Sequence, residues 1–382
     1  MTVLMAGPTP PPRNGMSVTT QTLLQNLPDG SVCLVLVDTA DRRGLRNVGR
    51  LDLDNIGVAM RCGLRFVREL IRKRPDVVYV PIAQNSLGFV RDSLFLLPAR
   101  ALGRPVVVHL HGSAFNEFYR GAPRLVRLLV RAALSDVSAA VVLGRSALGQ
   151  FEGIVPASRL CVVENGIPDR RLPDVEPGRS GLSARRGLVL CLGSLSTGKG
   201  FQDVLRAAAL LDDLPALRFV FAGEFKNGEA EALGRRLAAE PRVRGRVDFL
   251  GPVGEAEADE LLRGAAVLVM PARQAEGQPL VILEAFRFGT PVVATRSGCI
   301  PDTVDDGVDG VLVDAARPDA IAAAVRDLVT EPDRWLQMSA AAREAYERRF
   351  TAERWVESMS RVFASAARPA IGRRTLGRDS TR

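Results

Sequence analysis

The strongest constraint on the fold is an alternation of short apolar runs with helical patterns, which occurs twice along the 382 residues. The first set of runs includes "TVLMAG", "DVVYVP" and "PVVVHLH", separated by helical patterns at about 17–27, 57–74, 86–103 and 122–135. The alternation restarts at "GLVLCLG" and continues through "RFVFAG", "AVLVMP" and "GVLVD". Continuous apolar strands between helices are typical of buried parallel sheets. We therefore predict an α/β chain with two Rossmann-like, doubly wound domains facing a cleft.

The two sets of strands divide the chain into predicted domains at 1–172 and 173–350. Between them, "PDRRLPDVEPGRSGLSARRG" (168–187) is rich in Pro, Gly and charge and has no periodicity, so we predict a linker there. A last helix is predicted over 351–366 and could cross back to the N-terminal domain. The basic segment 367–382 is predicted to be disordered.

Charge and cysteine content limit the class of protein. The net charge is +8, and residues 1–172 carry 22 Lys and Arg against 13 Asp and Glu, which indicates different partners for the two halves. The five cysteines are scattered and never spaced C-x-x-C, which argues for a reducing compartment and against zinc. No apolar run reaches the ~18 residues of a membrane span, and the N-terminus lacks a basic signal region. We expect a cytoplasmic protein.

A glycine-rich segment, "GSLSTGKG" (193–200), nearly matches the phosphate-binding P-loop G-x-x-x-x-G-K-[ST]. Gly200 replaces the hydroxyl residue that would bind Mg²⁺. Lys199 is one of only three lysines among 51 basic residues, so it differs from the chain's usual surface cation. Two interpretations remain: an exposed lysine on a turn, or a strand–loop–helix in which Lys199 and a helix at 201–211 hold phosphate without Mg²⁺.

Two glutamates separated by seven residues flank a predicted helix start in "AEGQPLVILEAFRFG" (275–289). Pro279 fits the first helical position and Gly289 fits a cap beyond the end, so Glu276 precedes the helix and Glu284 lies within it. The free amides at 278–280 could bind a diphosphate, and carboxylates accept hydrogen bonds from sugar hydroxyls. The pattern predicts a nucleotide-sugar site.

Together with "VENGI" (163–167) and "VDFLGPV" (247–253), these segments resemble family 4 of the retaining glycosyltransferases, which have the GT-B fold. The resemblance extends over about residues 2–365. It implies that Glu276 contacts the donor sugar, that Glu284 holds the nucleotide ribose and that Lys199 neutralises the diphosphate. It also implies that no metal or other cofactor is needed. The implied donor-binding set is Gly15, Ser194, Lys199, Glu276, Gly277, Gln278, Pro279, Leu280 and Glu284.

This chain departs from the family at one position. Many members carry an Arg five residues before the loop lysine, and here that residue is Ser194. The leaving group would lose one of its two usual cations, for which Arg273 or another Arg could substitute. Gly15, in "PPPRNGMS", is implied to let the backbone approach the donor phosphate or the acceptor.

His109 and His111 are the only histidines, and their spacing places them on the same side of a strand. We expect His109 to be buried and bonded to a backbone carbonyl. We expect His111, at the strand end, to face the reacting sugar, as the resemblance also implies. His111, Glu276 and Lys199 form the predicted catalytic set. No third metal ligand is evident nearby, and "DLD" (52–54) is assigned to a surface loop.

Arginines at a 4-3-4 spacing predict a basic stripe on one helix, formed by Arg120, Arg124, Arg127 and Arg131. Residues 61, 65, 68 and 72 repeat the spacing. The stripe is either a solvated helix face or a surface for an anionic membrane, where each cation contributes ~1 kcal/mol. We place Asn14 and this stripe on the acceptor or membrane side, and a membrane role would favour a lipid-linked acceptor.

These features predict a retaining, hexosyltransferase-type enzyme that moves a sugar from a UDP- or GDP-linked donor to a hydroxyl of a glycan or glycolipid. We expect a role in cell-surface polysaccharide biosynthesis, with peripheral association at the inner face of the membrane as one alternative. Two other enzymes remain open: a P-loop-like ATPase or kinase, and a GT-B nucleotide-sugar epimerase. Nucleic acid is not an expected partner, because the chain lacks an aromatic stacking surface.

Overall fold

The computed structural model describes residues 1–11, 13–27, 30, 32–40, 42, 53–170, 185 and 187–368. Two six-stranded sheets lie in the two halves of this part of the chain, and every neighbouring pair of strands within them is parallel. Parallel neighbours require crossover connections, which helices supply here. The predicted α/β fold with two doubly wound sheets is confirmed.

The first sheet has the strand order β2-β1-β3-β4-β5-β6. Its strands are β1 (Thr2–Gly7), β2 (Cys33–Asp38), β3 (Val77–Ile82), β4 (Val106–Leu110), β5 (Ala139–Val142) and β6 (Leu160–Val162). The helices of this half are α1 (Gly15–Asn26), α2 (Leu53–Lys73), α3 (Ser86–Ala101), α4 (Phe115–Gly121) and α5 (Arg124–Leu134). Two 3-10 helices follow, at Arg145–Phe151 and Ala157–Arg159.

The second sheet has the order β12-β11-β10-β7-β8-β9. Its strands are β7 (Leu188–Leu192), β8 (Arg218–Ala222), β9 (Val247–Gly251), β10 (Val267–Met270), β11 (Val292–Thr295) and β12 (Gly310–Val313). Its helices are α6 (Phe201–Ala209), α7 (Gly228–Ala238), α8 (Glu255–Gly264), α9 (Leu280–Arg287), α10 (Ile300–Thr303), α11 (Pro318–Thr330) and α12 (Pro332–Arg349). The strand order reverses between β7 and β10, and ligands of open α/β sheets bind at such a reversal, beyond the carboxyl ends of the strands.

The last helix of the described chain, α13 (Ala352–Ala367), packs against the first sheet. Its buried side chains Trp355, Met359 and Phe363 belong to one apolar cluster with Val3 and Tyr79. The rings of Phe363 and Tyr79 meet edge to face, with centroids 5.3 Å apart. The C-terminal end of the chain therefore contributes to the core of the N-terminal half.

The helix predicted at about 122–135 is confirmed as α5, which begins two residues later and ends one residue earlier, but a separate helix precedes it. Helix α4 ends at Gly121, and α5 begins at Arg124 after Pro123, whose extended backbone caps it. Proline cannot continue a helix from the preceding turn, since it lacks the N–H and disfavours helical geometry in the residue before it. Arg120 consequently lies on a different helix from the rest of its predicted stripe.

Several predictions fall at the limits of the described residues. The helix predicted over 201–211 ends at Ala209. In "DLD", Leu53 and Asp54 belong to the first turn of α2 rather than to a loop, and residue 52 lies outside the described residues. Most of the predicted linker 168–187, the boundary at 172 and nearly all of the tail 367–382 also lie outside them.

Candidate functional site

The loop after β7 contains the segment that resembles a P-loop. After Ser196, whose side chain caps the turn, a 3-10 turn spans Thr197–Lys199 and leads directly into α6. Gly200, between the turn and the helix, has φ 78°, and a Cβ built on it would lie 1.9 Å from the backbone oxygen of Pro271. A serine or threonine does not fit there without moving that backbone. The absent Mg²⁺ hydroxyl is therefore a requirement of the fold.

Lys199 is held close to the first of the two predicted glutamates. Its Nζ lies 2.7 Å from Oε2 of Glu276, with the side chains 32% and 12% exposed. The Nε2 of Gln274 is 3.3 Å from the other carboxylate oxygen of Glu276. Lys199 follows β7 and Glu276 follows β10, the two strands at the reversal of the second sheet. The topology thus brings together a cation and a carboxylate that are 77 residues apart.

The backbone of Glu276 is fixed by residues from both halves. Its carbonyl oxygen accepts from the Ser113 hydroxyl at 2.5 Å and from the Cys299 N–H at 3.0 Å. Ser113, in the loop after β4, is buried and was not among the predicted site residues. The only sequence signal for it is its place two residues beyond His111, at the carboxyl end of a strand.

The two halves of the chain also meet at Gly277. A Cβ built on this glycine would lie 2.2 Å from the backbone oxygen of His111. No larger residue fits between the loop after β10 and the end of β4 without displacing one of them. The structure therefore brings His111, Glu276 and Lys199, the predicted catalytic set, to one contact between the halves.

The two histidines lie side by side, with ring centroids 4.0 Å apart. The Nδ1 of His109 is 2.7 Å from the Tyr79 hydroxyl, so the expected backbone carbonyl partner is wrong. A strand neighbour supplies this hydroxyl, since β3 and β4 are paired. The Nε2 of His111 is buried and has no hydrogen-bond partner among the described residues.

Burial disfavours the charged form of both imidazoles. It lowers the pKa of His111 to about 4 and that of His109 well below its ordinary value, with a further decrease from the neighbouring His111. Both rings are neutral at neutral pH. His111 can therefore exchange hydrogen bonds with a ligand at this contact, but it cannot contribute a positive charge.

Helix α9 begins where the sequence predicts, with Pro279 as its cap and Leu280 as its first residue. Gly289 follows its end at φ 62°, as predicted. The side chain of Gln278 is buried, and its Oε1 accepts from the backbone N–H of Asn165 at 2.6 Å. This side chain joins the two halves, and its buried Nε2 has no hydrogen-bond partner among the described residues.

Glu284, on the second turn of α9, lies among charges that the sequence analysis missed. The pKa of Glu284 is raised, because the effect of burial exceeds the opposing effect of Arg287, Arg13 and Arg170. Arg13 belongs to the loop before α1, and its Nη2 reaches Oε1 of Glu255 on α8 at 2.7 Å. Arg170 contacts the same carboxylate. Arginines from both halves thus approach the glutamate predicted to hold the ribose.

Arg273, suggested as a substitute for the arginine missing at Ser194, is paired with a carboxylate in this structure. Its guanidinium donates two hydrogen bonds to the buried carboxylate of Asp203, at 2.7 and 2.5 Å. A paired arrangement of this kind fixes the guanidinium geometrically. Asp203 lies in the first turn of α6, where Phe201 and Gln202 are buried as well. Ser194 itself is exposed.

The remaining predicted residues lie on the N-terminal half. Asn14 caps α1, and its side chain accepts from the Ser17 N–H at 3.0 Å. Gly15 is exposed, and nothing lies within 4 Å of a Cβ built on it. Arg124, Arg127 and Arg131 lie on α5, and Arg120 lies at the end of α4.

The described residues contain neither a metal-binding cluster nor a membrane-spanning helix. They contain no group of three or more His, Cys, Asp or Glu side chains arranged to hold a metal ion. None of the described helices combines the length and apolarity required to cross a membrane.

Comparison with protein-family models covers nearly all of the described chain. Residues 14–166 match the model of the glycosyl transferase 4-like domain. Residues 175–345, which include Lys199, Glu276 and Glu284, match that of glycosyl transferases group 1. The chain belongs to the family 4 glycosyltransferases. The resemblance seen in the sequence is thereby confirmed, and the first match includes His111 and Ser113 of the first half.

Curated relatives match part of the chain. The GDP-mannose-dependent alpha-(1-6)-phosphatidylinositol monomannoside mannosyltransferase of Mycolicibacterium smegmatis is 32% identical over 263 residues, 65% of this chain and 66% of the relative. The D-inositol 3-phosphate glycosyltransferase of Streptomyces scabiei is 36% identical over 197 residues, 48% of this chain and 44% of the relative. The match thus spans less than half the length of the latter enzyme.

Solved structures support the fold. The structure of Anabaena Alr3699/HepE in complex with UDP-glucose has a TM-score of 0.71 and 17% identity, and the match covers 96% of this chain and 100% of that one. Sucrose-phosphate synthase from Thermosynechococcus elongatus has a TM-score of 0.71 and 16% identity, covering 95% and 98%. At these identities the likeness shows the GT-B fold alone.

Proposed function

We propose that this protein transfers a sugar from a nucleoside diphosphate sugar to an acceptor hydroxyl of a glycan or glycolipid, with retention of configuration at the anomeric carbon. The observation that carries the proposal is the Lys199–Glu276 pair, 2.7 Å apart, at the contact between the halves and next to His111. Lys199 carries the positive charge that stabilises a leaving diphosphate, and Glu276 accepts hydrogen bonds from sugar hydroxyls.

The proposed roles follow from the chemistry of each group. Lys199 would move from Glu276 toward the donor and neutralise the charge that develops on the diphosphate. Glu276, released from Lys199, would orient the donor sugar, and Glu284 would accept from the ribose hydroxyls. The neutral His111 would hold the reacting face through its unpartnered Nε2. Most of the acceleration would come from positioning and from stabilising leaving-group charge.

In the proposed step, the bond between the anomeric carbon and the phosphate oxygen breaks as the acceptor oxygen bonds on the same face. The acceptor proton passes to the leaving phosphate oxygen, so atoms and charge balance without a covalent enzyme intermediate. We propose that the step needs no metal, because Lys199 supplies a cation and Gly200 leaves the loop without the hydroxyl that binds Mg²⁺ in a P-loop enzyme.

The donor is proposed to be UDP- or GDP-linked. The mycobacterial mannosyltransferase is named as GDP-mannose-dependent, and the HepE structure contains UDP-glucose. The two bases differ, so the nucleotide must be found by measurement. A nucleotide at ~100 times its Kd stabilises its protein by about 2.7 kcal/mol, which is visible as a shift in Tm.

The test is thermal unfolding with UDP, GDP, ADP and ATP, each with Mg²⁺ and with EDTA. We expect one diphosphate to raise the Tm equally in Mg²⁺ and in EDTA, and Glu284→Ala to abolish that rise. Glu229→Ala, an exposed glutamate on the first turn of α7, is the matched control and should retain it. Stabilisation by ATP only, and only with Mg²⁺, would assign the chain to the ATPase or kinase alternative.

The acceptor is proposed to be a lipid-linked glycan or glycolipid of cell-surface polysaccharide biosynthesis, reached at the inner face of the membrane. The exposed side of α2 alternates apolar and basic residues: Met60, Arg61, Leu64, Arg65, Arg68, Ile71 and Arg72. Leu125 and Leu128 on α5 are 80% and 63% exposed beside their arginines. Helix α3 packs against both helices, so the two sets lie on one side of the first half.

Vesicle sedimentation tests the membrane surface. The chain is expected to bind vesicles containing anionic lipid and to be released by salt, since exposed charges are screened. The double variant Leu64→Ser, Leu125→Ser should weaken binding, and Leu250→Ser, an exposed leucine of β9, is the control. Equal binding by both variants would remove this surface from the proposal, and no binding by the wild type would remove the membrane and leave a soluble glycan as the acceptor.

A further inference from the structure

A pocket of about 610 Å³ lies apart from the residues of the donor site, where the edge of the first sheet meets α12 and α13. Neither Lys199, Glu276 nor Glu284 lines it. Its lining contains five arginines and three acidic residues, which leaves an excess of positive charge. The arginines are Arg145, Arg348, Arg349, Arg354 and Arg361.

The five arginines differ in how many of their hydrogen-bond donors already contact other residues of the protein. Arg349 contacts the carboxylate of Glu164 and donates to the backbone oxygen of Asp302 at 2.5 Å, so it serves the contact between the halves. Arg145 is exposed and has no ion pair with any described residue. Arg361 is 70% exposed and reaches its nearest carboxylate, that of Glu357, only at 4.0 Å. The Nη2 of Arg361 also donates to the Ser358 hydroxyl at 3.3 Å, so the remaining donors of Arg361 and the guanidinium of Arg145 are available to an anion.

A second, independent observation concerns the tryptophan in the lining. Trp355 is 2% exposed, and its Nε1 is buried without a hydrogen-bond partner among the described residues. The indole of Trp335, by contrast, donates to the backbone oxygen of Ala266 at 2.6 Å. Buried indole N–H groups usually find a partner. The Nε1 is closed to solvent, so an anionic oxygen in the pocket would supply this partner only once Trp355 or its neighbours shift.

We propose that this pocket binds a phosphate-bearing anion, held by the guanidinium groups of Arg145 and Arg361 and by the indole N–H of Trp355. Arginine is the side chain best suited to phosphate oxygens, because its planar donors bind two of them at once. The lining includes residues from both halves, Arg145 from the first and Asp302 from the second. The ligand is either a free phosphate compound or the phosphate of a lipid headgroup.

The chain has only two tryptophans, which gives a direct probe. In a Trp335→Phe background, the fluorescence of Trp355 is titrated with inorganic pyrophosphate at constant ionic strength. We expect a saturable change, weakened about a hundredfold by Arg145→Ala with Arg361→Ala, since each lost charge-assisted hydrogen bond weakens binding about tenfold. The control Arg235→Ala with Arg236→Ala removes two exposed arginines from α7 and should leave the titration unchanged.

Two further arms separate this site from the donor site and the two sources of phosphate from each other. Lys199→Ala should not alter the titration, because Lys199 does not line the pocket. A response to pyrophosphate alone identifies a free compound, and a response to vesicles with anionic lipid as well identifies a headgroup. Calorimetry of the wild-type chain, which has both tryptophans, checks that binding of pyrophosphate does not depend on the Trp335→Phe substitution.

The proposal is overturned if neither probe gives a saturable response, or if sodium chloride of equal ionic strength reproduces it. It is also overturned if Lys199→Ala abolishes the response while Arg145→Ala with Arg361→Ala leaves it intact, since pyrophosphate would then occupy the donor site. That last outcome would leave the proposed transferase function standing.

Discussion

The two halves of the molecule hold their site residues in opposite ways. In the second half, the loops after β7 and β10 are fixed by backbone contacts: Gly200 lies against Pro271, and the carbonyl of Glu276 accepts from Ser113 and Cys299. In the first half, Gly15 borders open space, and Leu125 on α5 is 80% exposed. The proposed donor side is thus fixed by contacts within the protein, while the proposed acceptor side is open.

Gly200→Ser gives the largest expected effect on stability and would complete the P-loop motif. We expect a loss of about 2 to 5 kcal/mol, from the left-handed backbone and from the contact with Pro271. Denaturant unfolding measures it. Gly245→Ser is the matched control, since Gly245 has the same φ of 78° and no atom within 4 Å of a Cβ. Equal losses in the two variants would show that the contact with Pro271 is unimportant.

The buried His111 gives a smaller, pH-dependent effect. Its pKa of about 4 in the folded chain is below the ordinary value of 6.5, so the unfolded chain binds more protons between these values. The contribution of His111 to the free energy of unfolding is fully present above pH 6.5 and is lost as the pH falls toward 4. Between pH 7.5 and 5, the loss is about 2 kcal/mol.

The measurement for His111 is the difference between the wild type and His111→Gln in urea unfolding at pH 7.5 and 5. The difference removes the opposing contribution of buried carboxyls such as Asp309, whose pKa burial raises to about 6. The difference also includes a change in the pKa of His109, because His111 lowers that pKa in the wild type. The variant should lose less stability than the wild type on acidification, and an identical loss would mean that His111 is charged or exposed.

Gly15→Ala gives the smallest expected effect on stability, within about 0.5 kcal/mol, because the site is exposed and open. If the backbone here approaches the donor phosphate or the acceptor, the added methyl group should raise a KM while Tm stays constant. Steady-state kinetics with both substrates varied measures this. An unchanged KM for both substrates would remove Gly15 from the proposed site. The contrast between the two halves would then rest on the second half alone.

The sequence predicted what depends on local pattern. Strand and helix alternation placed both sheets, and the Pro279 and Gly289 signals placed α9, because hydrophobic burial and helix capping act over a few residues. The glutamate spacing identified the loop that reaches the contact between the halves. The break at Pro123 could also have been read locally, since a proline inside a predicted helix signals a boundary.

What the sequence did not predict depends on contacts between distant segments. The hydroxyl of Ser113 meets a carbonyl 163 residues away, and Arg273 pairs with a carboxylate 70 residues away. Tyr79 replaced the expected carbonyl beside His109 because β3 and β4 are neighbours in the sheet. Such partners follow from strand order and packing, which one sequence without an alignment does not determine.

The central claim is that Lys199 takes the charge of the leaving diphosphate without a metal. The most direct measurement is the release of nucleoside diphosphate from a panel of UDP- and GDP-sugars with acceptor present, in EDTA and in Mg²⁺. Lys199→Ala should lower kcat/KM by about 10²- to 10³-fold in both, the usual effect of losing one such stabilising group. Lys73→Ala, which removes a lysine from the last turn of α2, should leave it unchanged. Release that requires Mg²⁺, or that survives Lys199→Ala, would contradict the account.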